Sequence, residues 1–232
     1  MADKNASPAM DEGALQQESA YRILREGIAR FAYKPGERLG ASSLCRELNL
    51  GRTPVREGLV RLQQEGLVQA RPKSGPYVSL ISPARMESAR FVRTQVEREV
   101  VVECCSRVDE AGLSLIGSTL RAQRQAMEEG DVGAFFEADL AMHEAFFTVA
   151  GRHLAWEWLR AGDTDLQRYR WLRIGAKGLD RQSILAQHVG ICDAIAERRP
   201  TDAAFLATQH LRAMLDEQRE VMAEFPGYFE AE

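Results

Sequence analysis

L-G-R-T-P-V-R-E-G-L, residues 50–59, follows a short helical segment at residues 43–48 and opens a longer helix. Pro54 fits the first turn of that helix, where the missing N–H of proline costs nothing. Arg52 and Arg56 lie four residues apart, so their side chains project from one helix face. Guanidinium groups placed there bind guanine edges or phosphates. Taken alone, the decapeptide fits an ordinary surface helix with two solvated arginines equally well.

The segments around this decapeptide favour a nucleic-acid-binding module. Apolar residues at helical spacing predict a first helix over about residues 15–32, and residues 34–37 form a turn. After the third helix, apolar residues alternate on both sides of a basic, glycine-containing tip at residues 71–76, which predicts a short hairpin. Three helices followed by a basic hairpin are typical of a winged helix-turn-helix.

The charge of the chain is divided unequally between its two parts. Residues 15–80 contain 11 Lys and Arg against 6 Asp and Glu, a net charge of +5. Residues 81–232 contain 18 against 25, a net charge of −7, so the overall charge of −4 hides a basic N-terminal third. This asymmetry indicates a phosphate-binding module fused to an acidic domain.

Composition also indicates the cellular compartment. Residues 1–14 are small and polar, and we expect them to form a disordered tail rather than a secretory signal. No apolar run approaches the length of a membrane span. The four cysteines, two of them adjacent, suit neither a disulfide framework nor a zinc knuckle, which favours reduced thiols in a cytoplasmic protein.

Five motifs occur in order in the N-terminal part: P-G-E-R-L at residues 35–39, L-x-x-E-L at 44–48, R-T-P-V-R-E at 52–57, L-x-x-E-G-L-V at 62–68, and Gly75. Together they resemble GntR-type transcription regulators. The resemblance implies that the third helix enters the major groove of DNA and that the hairpin, or wing, reaches the minor groove. It places Arg52, Thr53 and Arg56 at base and phosphate contacts and Gly75 at the wing glycine. We add Lys73, in the basic wing tip, as a DNA contact.

Two glycines depart from the pattern of that family. Gly51 stands where Ser is usual, so we expect the third helix to lack a side-chain N-cap. Gly58 stands where Ala is usual, which lowers helix stability by about 1 kcal/mol. Both differences affect the strength of DNA binding more than its presence, since neither removes an arginine.

From residue 82 onward the pattern is helical almost throughout. Ser82 followed by Pro83 is a helix-start signal and marks the domain boundary. We predict helices over about residues 83–107, 110–129, 131–150, 154 to beyond 169, 181–198 and 201–223. Short connections between them imply an antiparallel bundle. The predicted fold is therefore mainly α, with an N-terminal winged helix-turn-helix at residues 15–81 and a C-terminal all-α antiparallel helical bundle at residues 82–225.

Three of the four histidines lie on the apolar stripes of separate predicted helices. They are His143, His188 and His210, and Asp139 precedes His143 by four residues on the same helix face. A single histidine on such a stripe is usually a hydrogen-bonded core residue. One carboxylate and three imidazoles that point into one bundle match the ligand set of a divalent first-row transition metal, with zinc, nickel and manganese as the candidates.

The bundle also resembles the FCD domain of the FadR subfamily of these regulators. The resemblance rests on D-x-x-x-H at residues 139–143 and on one histidine in each of the last two helices. It implies a domain that senses effectors and dimerises. In such a domain Asp139, His143, His188 and His210 bind a metal that leaves a position open for an effector carboxylate.

The arginines of the bundle have two interpretations each. Arg93 and Glu97 match a recurrent R-x-x-x-E of the first bundle helix, and Arg93 is either an effector contact or half of an i,i+4 salt bridge. Arg168, Arg170 and Arg173 either clamp an anionic effector or form a solvated face. We expect the solvated face.

These observations predict a homodimeric, cytoplasmic transcription regulator, in the family's usual role of repressor. It would bind a double-stranded DNA operator and a small organic acid effector, without being an enzyme or contacting a membrane. Two alternatives stay open. One is a metal-dependent hydrolase fused to a DNA-binding module, although no further side chain is placed as a general base. The other is an architectural DNA-binding dimer whose bundle only dimerises.

Overall fold

A computed structural model describes residues 12–231 of the chain, which divides into two compact units between Leu80 and Ile81. The first unit contains α1 (Glu12–Ala29), α2 (Ala41–Leu48), α3 (Arg52–Gln64), β1 (Val68–Arg71) and β2 (Gly75–Val78). The second contains α4 (Pro83–Arg107), α5 (Glu110–Glu129), α6 (Val132–Val149), α7 (His153–Gly162), α8 (Thr164–Gly175), α9 (Arg181–Ala196), α10 (Pro200–Ala213) and α11 (Gln218–Glu224). The predicted fold class, a winged helix-turn-helix followed by a helical bundle, is confirmed. None of the described helices is both long enough and apolar enough to cross a membrane.

The third helix lies at the centre of the first unit. Val55 and Leu62 of α3 are fully buried in one apolar cluster with Leu24 of α1. The two helices approach closely at Gly58, where a Cβ atom would lie 3.1 Å from the backbone nitrogen of Tyr21. Glycine here permits close helix packing, which offsets its low intrinsic helix propensity.

The start of α3 lacks a side-chain cap, as expected from Gly51. This residue has an extended backbone, and its position shows no side-chain hydrogen bond to the helix. The first N–H groups of α3, beginning at Arg52, are therefore left for water or for an anion such as phosphate.

The first helix differs from the prediction at both ends. It begins at Glu12, so residues 12–14 are helical rather than part of the predicted disordered tail. The rest of that predicted tail, residues 1–11, lies outside the described part of the chain. At its other end α1 stops at Ala29, before the predicted residue 32, because Phe31 adopts a left-handed backbone conformation with φ 62°.

The wing is the antiparallel hairpin of β1 and β2, in which Val68 lies opposite Val78. Left-handed backbone conformations occur at Lys73 in the turn, with φ 63°, and at Gly75, the first residue of β2, with φ 90°. Glycine adopts the second of these without strain, which explains its place at the wing tip. Backbone groups of residues 36–39 form hydrogen bonds with β2, so this segment lies along the hairpin.

The main apolar cluster of the second unit lies between α4, α6, α9 and α10, with residues added by α5 and α7. The most deeply buried include Val101, Cys104, Met142, Phe147, Ile191 and Ile195. Two carboxylates fix the starts of α5 and α6, since Asp109 and Asp131 each accept a hydrogen bond from an N–H in the first turn. The bounds of α4, α5 and α6 agree with the predicted ones to within one residue.

Two of the predicted bundle helices are broken. The helix predicted from residue 154 to beyond 169 consists of α7 and α8, which separate at Asp163. The buried carboxylate of Asp163 accepts hydrogen bonds from Arg93 at 3.2 Å and from Gln167 at 2.8 Å, and these bonds hold the break. The helix predicted over residues 201–223 ends at Ala213. A turn follows in which bonds such as Asp216 N to Ala213 O replace the helical pattern, and then α11 begins.

The end of the described chain returns to the start of the second unit. The amide of Ile81 donates a hydrogen bond to the carbonyl of Tyr228 at 2.9 Å, and the amide of Glu230 donates to the carbonyl of Ile81 at 2.9 Å. Phe229, between them, is buried. The C-terminal unit therefore includes residues beyond 225, where the predicted bundle domain ends.

Candidate metal centre and nucleic-acid interface

Three histidines from three helices converge inside the second unit. His143 of α6, His188 of α9 and His210 of α10 are all buried, and one possible ligand atom of each lies within 4.8 Å of the others. The Nε2 atoms of His188 and His210 are 3.3 Å apart. The sequence places these residues on separate apolar stripes, and the fold brings them to one point.

The other ring nitrogen of each histidine has a hydrogen-bond partner. Nδ1 of His143 lies 2.7 Å from a carboxylate oxygen of Glu97, and Nδ1 of His188 lies 2.8 Å from the amide oxygen of Gln123. Nδ1 of His210 lies 2.9 Å from the amide oxygen of Gln187. Because these partners are oxygens, they favour rings that carry the proton on Nδ1 and a lone pair on Nε2. In the described part of the chain, Nε2 of His143 has no hydrogen-bond partner.

Asp139 lies at the edge of this histidine cluster. Its Oδ1 atom is 3.6 Å from Nε2 of His188, while its Oδ2 atom accepts a hydrogen bond from Arg170. Burial raises the pKa of Asp139, but the charges around it, that of Arg170 foremost, together outweigh burial, and the pKa is lowered. The carboxylate is therefore ionised, with one oxygen directed toward the histidines.

The three imidazoles are neutral at neutral pH. Burial, which disfavours the charged ring, lowers the pKa of His188 from 6.5 to about 4. The same cause lowers the pKa values of His143 and His210 well below 6.5. Neutral imidazoles with free Nε2 lone pairs are in the protonation state that metal coordination requires.

Arg93 is fully buried in a network of ion pairs. Its Nε atom lies 2.6 Å from Glu97, and its Nη1 atom lies 3.2 Å from Asp163. The R-x-x-x-E motif thus forms the i,i+4 salt bridge that was one of its two interpretations. Glu97 also contacts His143, which sequence reasoning did not anticipate.

The expectation of a solvated arginine face on α8 is wrong. Arg168, Arg170 and Arg173 are 0%, 3% and 9% exposed. Each has a carboxylate partner, since Arg168 pairs with Asp165, Arg170 with Asp139, and Arg173 with Glu217 at 2.7 Å. The error arose because a run of arginines on one helix has no periodicity that reveals carboxylates on other elements.

A small cavity of about 10 Å³ adjoins the histidine cluster. Its lining includes Asp139, Arg170, Arg173, Ile174, Ile184, His210 and Met214. The lining therefore combines charged and polar side chains with three apolar ones. A cavity of this size holds about one water-sized particle.

The predicted DNA contacts lie on the surface of the first unit. Arg52, Thr53 and Arg56 are exposed on the first turns of α3, and Lys73 is exposed at the wing tip. Among the side chains that the structure describes, no ion pair involves Arg52 or Arg56. Arg61, farther along α3, pairs with Glu18 at 2.7 Å. The start of α3 therefore presents two guanidinium groups that form no ion pair with the carboxylates that the structure describes.

Two families match the chain. The family described as bacterial regulatory proteins, gntR family, matches residues 16–78. The FCD domain family matches residues 89–213, which is more than half of the chain.

Individual relatives agree over nearly the full length. An HTH-type transcriptional regulator of Streptomyces ambofaciens, from an unstable DNA locus, is 32% identical over 221 residues, covering 95% of this chain and 92% of the relative. The HTH-type transcriptional repressor RspR of Escherichia coli K12 is 29% identical over 215 residues, covering 93% of this chain and 94% of RspR.

Solved structures share the fold. Escherichia coli McbR/YncC matches with a TM-score of 0.75 at 15% identity, over 90% of this chain and 98% of that one. A GntR protein from Rhodococcus sp. RHA1 matches with a TM-score of 0.73 at 21% identity, over 91% of this chain and 99% of that one. The matched families and relatives are DNA-binding transcriptional regulators and not enzymes. The chain belongs to the GntR family of bacterial transcriptional regulators, in the FadR-like subfamily whose C-terminal domain is an FCD domain.

Proposed function

We propose that this transcriptional regulator binds a divalent transition metal in its FCD domain and uses that centre to sense a small organic acid. The observation that carries the proposal is the convergence of three buried imidazoles whose Nδ1 atoms are already hydrogen-bonded. Three Nε2 lone pairs that face one another repel, and a bound cation turns this repulsion into attraction. His143, His188 and His210 would bind the metal together with the free oxygen of Asp139.

The donor set suits a transition metal rather than calcium or magnesium. Imidazole nitrogens favour zinc, nickel and similar ions, and a single carboxylate adds a hard donor that manganese also accepts. Nε2 of His143 is buried and without a partner in the described part of the chain, and a metal would satisfy it. When bound, the metal supplies a positive charge that one carboxylate and three neutral rings only partly balance.

The surroundings of this centre favour an anionic effector. Arg170 and Arg173 line the adjoining cavity, and their guanidinium groups are suited to a carboxylate. Ile174, Ile184 and Met214 give the cavity an apolar wall for a short carbon chain. A cavity of about 10 Å³ is smaller than any organic acid, so binding requires these side chains to move. Arg93, predicted as an effector contact, would act through Glu97 instead, because it does not line the cavity.

For DNA, we propose that Arg52, Thr53 and Arg56 contact the operator in the major groove and that Lys73 and Gly75 lie in a wing that reaches the minor groove. A homodimer would place two such units on the half-sites of a palindrome. The protein would act in the cytoplasm as a repressor, and RspR, the relative from Escherichia coli, carries the name repressor.

Elemental analysis of native protein tests the metal centre. We expect about one transition-metal ion per chain. His188→Ala and His210→Ala should each lose this ion and melt at a lower temperature, because bound metal stabilises the fold. The control is His153→Ala, since His153 is exposed at the start of α7. Native protein without metal, whose melting temperature does not respond to added zinc, nickel or manganese, would overturn the proposal.

Thermal-shift measurements with small carboxylates and sugar acids, with and without metal, test the effector. An effector should raise the melting temperature only when metal is present. Operator DNA and effector should then change each other's affinity by the same factor, typically 5–150-fold. Equal effector affinity with and without operator DNA would mean that the FCD domain does not regulate DNA binding.

A further inference from the structure

We infer that α8 connects the metal centre to the beginning of the C-terminal unit, and that Asp165 is the residue through which the connection passes. The inference rests on the proposed metal centre and adds a route by which its occupancy reaches the segment between the two units. It depends on three sets of contacts, which lie in the second half of α8, in its first turn and near the C-terminus of the described chain.

One end of the route is at the histidine cluster. Arg170 of α8 holds one oxygen of Asp139, whose other oxygen faces His188. Arg173, one turn farther along, lines the adjoining cavity. A cation bound to the other oxygen of Asp139 therefore weakens the attraction between this carboxylate and Arg170.

The other end of the route is at the first turn of α8. Asp165 is 3% exposed, and its Oδ2 atom accepts a hydrogen bond from the amide of Ser82 at 3.4 Å. The same oxygen lies 3.3 Å from Nε of Arg85, in the first turn of α4. The second oxygen of Asp165 pairs with Arg168. Asp165 thus ties α8 to the residues that directly follow Ile81.

Residues near the C-terminus of the described chain bind the start of the second unit as well, at Ile81. Ile81 exchanges two backbone hydrogen bonds with Tyr228 and Glu230, each 2.9 Å long. Leu80, the residue before Ile81, is the last of the N-terminal unit. The first residues of the second unit are therefore held by both α8 and the C-terminal residues.

Helix α8 is suited to carry a displacement between these points. It is a separate 12-residue helix from Thr164 to Gly175, and a break at Asp163 divides it from α7. Arg170 and Asp165 are five residues apart, which corresponds to roughly 7.5 Å along the axis of a hydrogen-bonded helix. Because a helix of this length moves as a rigid element, a shift at Arg170 displaces Asp165 and loosens or tightens its hold on Ser82 and Arg85.

Hydrogen–deuterium exchange of the full chain tests this route, with zinc as the probe. Metal-stripped protein is compared with the same protein after zinc is added, and exchange is followed in peptides that contain the amides of Ile81 and Glu230. We expect zinc to slow exchange of both amides by about fivefold or more, a change of the size typical of coupled sites. In Asp165→Asn the zinc effect should fall below about twofold, although zinc stoichiometry is unchanged.

Two further variants make the test decisive. Arg85→Gln removes an exposed partner of Asp165 and should halve the zinc effect, which keeps the test valid if Asp165→Asn fails to fold. Asp109→Asn, at the exposed N-cap of α5, should leave the effect intact. If zinc binds and raises the melting temperature but exchange at Ile81 and Glu230 is unchanged, the route is wrong and the metal centre stands. An undiminished zinc effect in folded Asp165→Asn or in Arg85→Gln also overturns the route. If zinc does not bind, nickel or manganese takes its place as the probe, and if none of the three metals binds, both proposals fail.

Discussion

Nδ1 of His210 lies 2.9 Å from the amide oxygen of Gln187, a residue of a different helix. Gln187 directly precedes His188 in α9, so one stretch of that helix supplies a candidate ligand and orients another. The bond fixes both the orientation of the His210 ring and the position of its proton. The histidine cluster is therefore arranged by residues that would not themselves touch a metal.

Removing the Gln187 side chain should weaken metal binding without abolishing it. We expect Gln187→Ala to lower metal affinity by about 10–100-fold, since the His210 ring loses its orienting partner. Competition with a chelator of known affinity measures the change. Gln182→Ala provides a matched control, because Gln182 is an exposed glutamine of the same helix. Equal metal affinity in the two variants would show that the hydrogen bond has no part in metal binding.

The stability of metal-free protein should fall as the pH is lowered from 7 toward 4. Burial lowers the pKa of His188 to about 4, whereas the same residue in the unfolded chain titrates near the ordinary 6.5. Between these two pKa values the unfolded chain binds more protons than the folded protein does. The contribution of neutral His188 to stability is therefore complete above pH 6.5 and is lost as the pH falls to 4. For His188 alone the loss is roughly 3 kcal/mol.

Urea unfolding at a series of pH values in the presence of a chelator measures this dependence. His188→Gln should show a shallower fall in the free energy of unfolding, because one titrating group is gone. His153→Gln, which alters an exposed residue outside the cluster, should match the unchanged protein. A free energy of unfolding in His188→Gln that falls as steeply as in the unchanged protein would contradict the prediction.

The two arginines at the start of α3 should dominate operator recognition. Arg52→Ala and Arg56→Ala should each weaken operator binding by roughly 1–3 kcal/mol if they contact bases. Arg61→Ala should have a smaller effect, because Glu18 already balances the charge of Arg61. Fluorescence anisotropy with an operator selected from random DNA measures all three. Unchanged affinity in both Arg52→Ala and Arg56→Ala would exclude α3 as the recognition helix.

The wing should contribute affinity without sequence preference. Lys73→Ala should weaken binding to operator and to unrelated DNA by similar factors, since a lysine at an exposed turn reaches phosphates rather than bases. The slope of log affinity against log salt should also decrease by about one. A loss confined to the operator would instead assign Lys73 to base recognition.

Gly58→Ala should stabilise the protein less than a comparable change elsewhere. Alanine improves helix propensity by up to about 1 kcal/mol. At Gly58, however, the new methyl group would lie 3.1 Å from the backbone nitrogen of Tyr21 in α1. Gly117→Ala is the control, because its methyl group meets only the flexible side chain of Arg121. Equal gains in the melting temperature of both variants would mean that α1 and α3 separate easily.

Much of the fold is predictable from the sequence because its signals are local. The R-T-P-V-R-E segment, the alternation around the wing tip and the apolar stripes of the bundle each lie within one element. The same locality explains why His143, His188 and His210 could be proposed as a set. Each lies on the buried face of its own helix, and in a small bundle the buried faces meet.

The partners of those histidines could not be predicted. Gln123 and Gln187 come from helices other than those of the rings they orient, and no spacing relates such residues. The burial of Arg170 depends on Asp139, which lies 31 positions away in the sequence. The break at Asp163 likewise depends on Arg93 of α4, which accounts for the prediction of one helix where two exist. At Asp163 a long-range ion pair outweighed local helix propensity.

The pairing of Glu230 with Ile81 has a practical consequence for anyone who purifies this protein. An affinity tag fused shortly after Glu230 would lie close to that hydrogen bond and to Ile81, the first residue of the C-terminal unit. Such a tag can disturb the response that a gel-shift or reporter assay is meant to record. Removing the tag before the measurement ensures that the assay records the protein and not an effect of the tag.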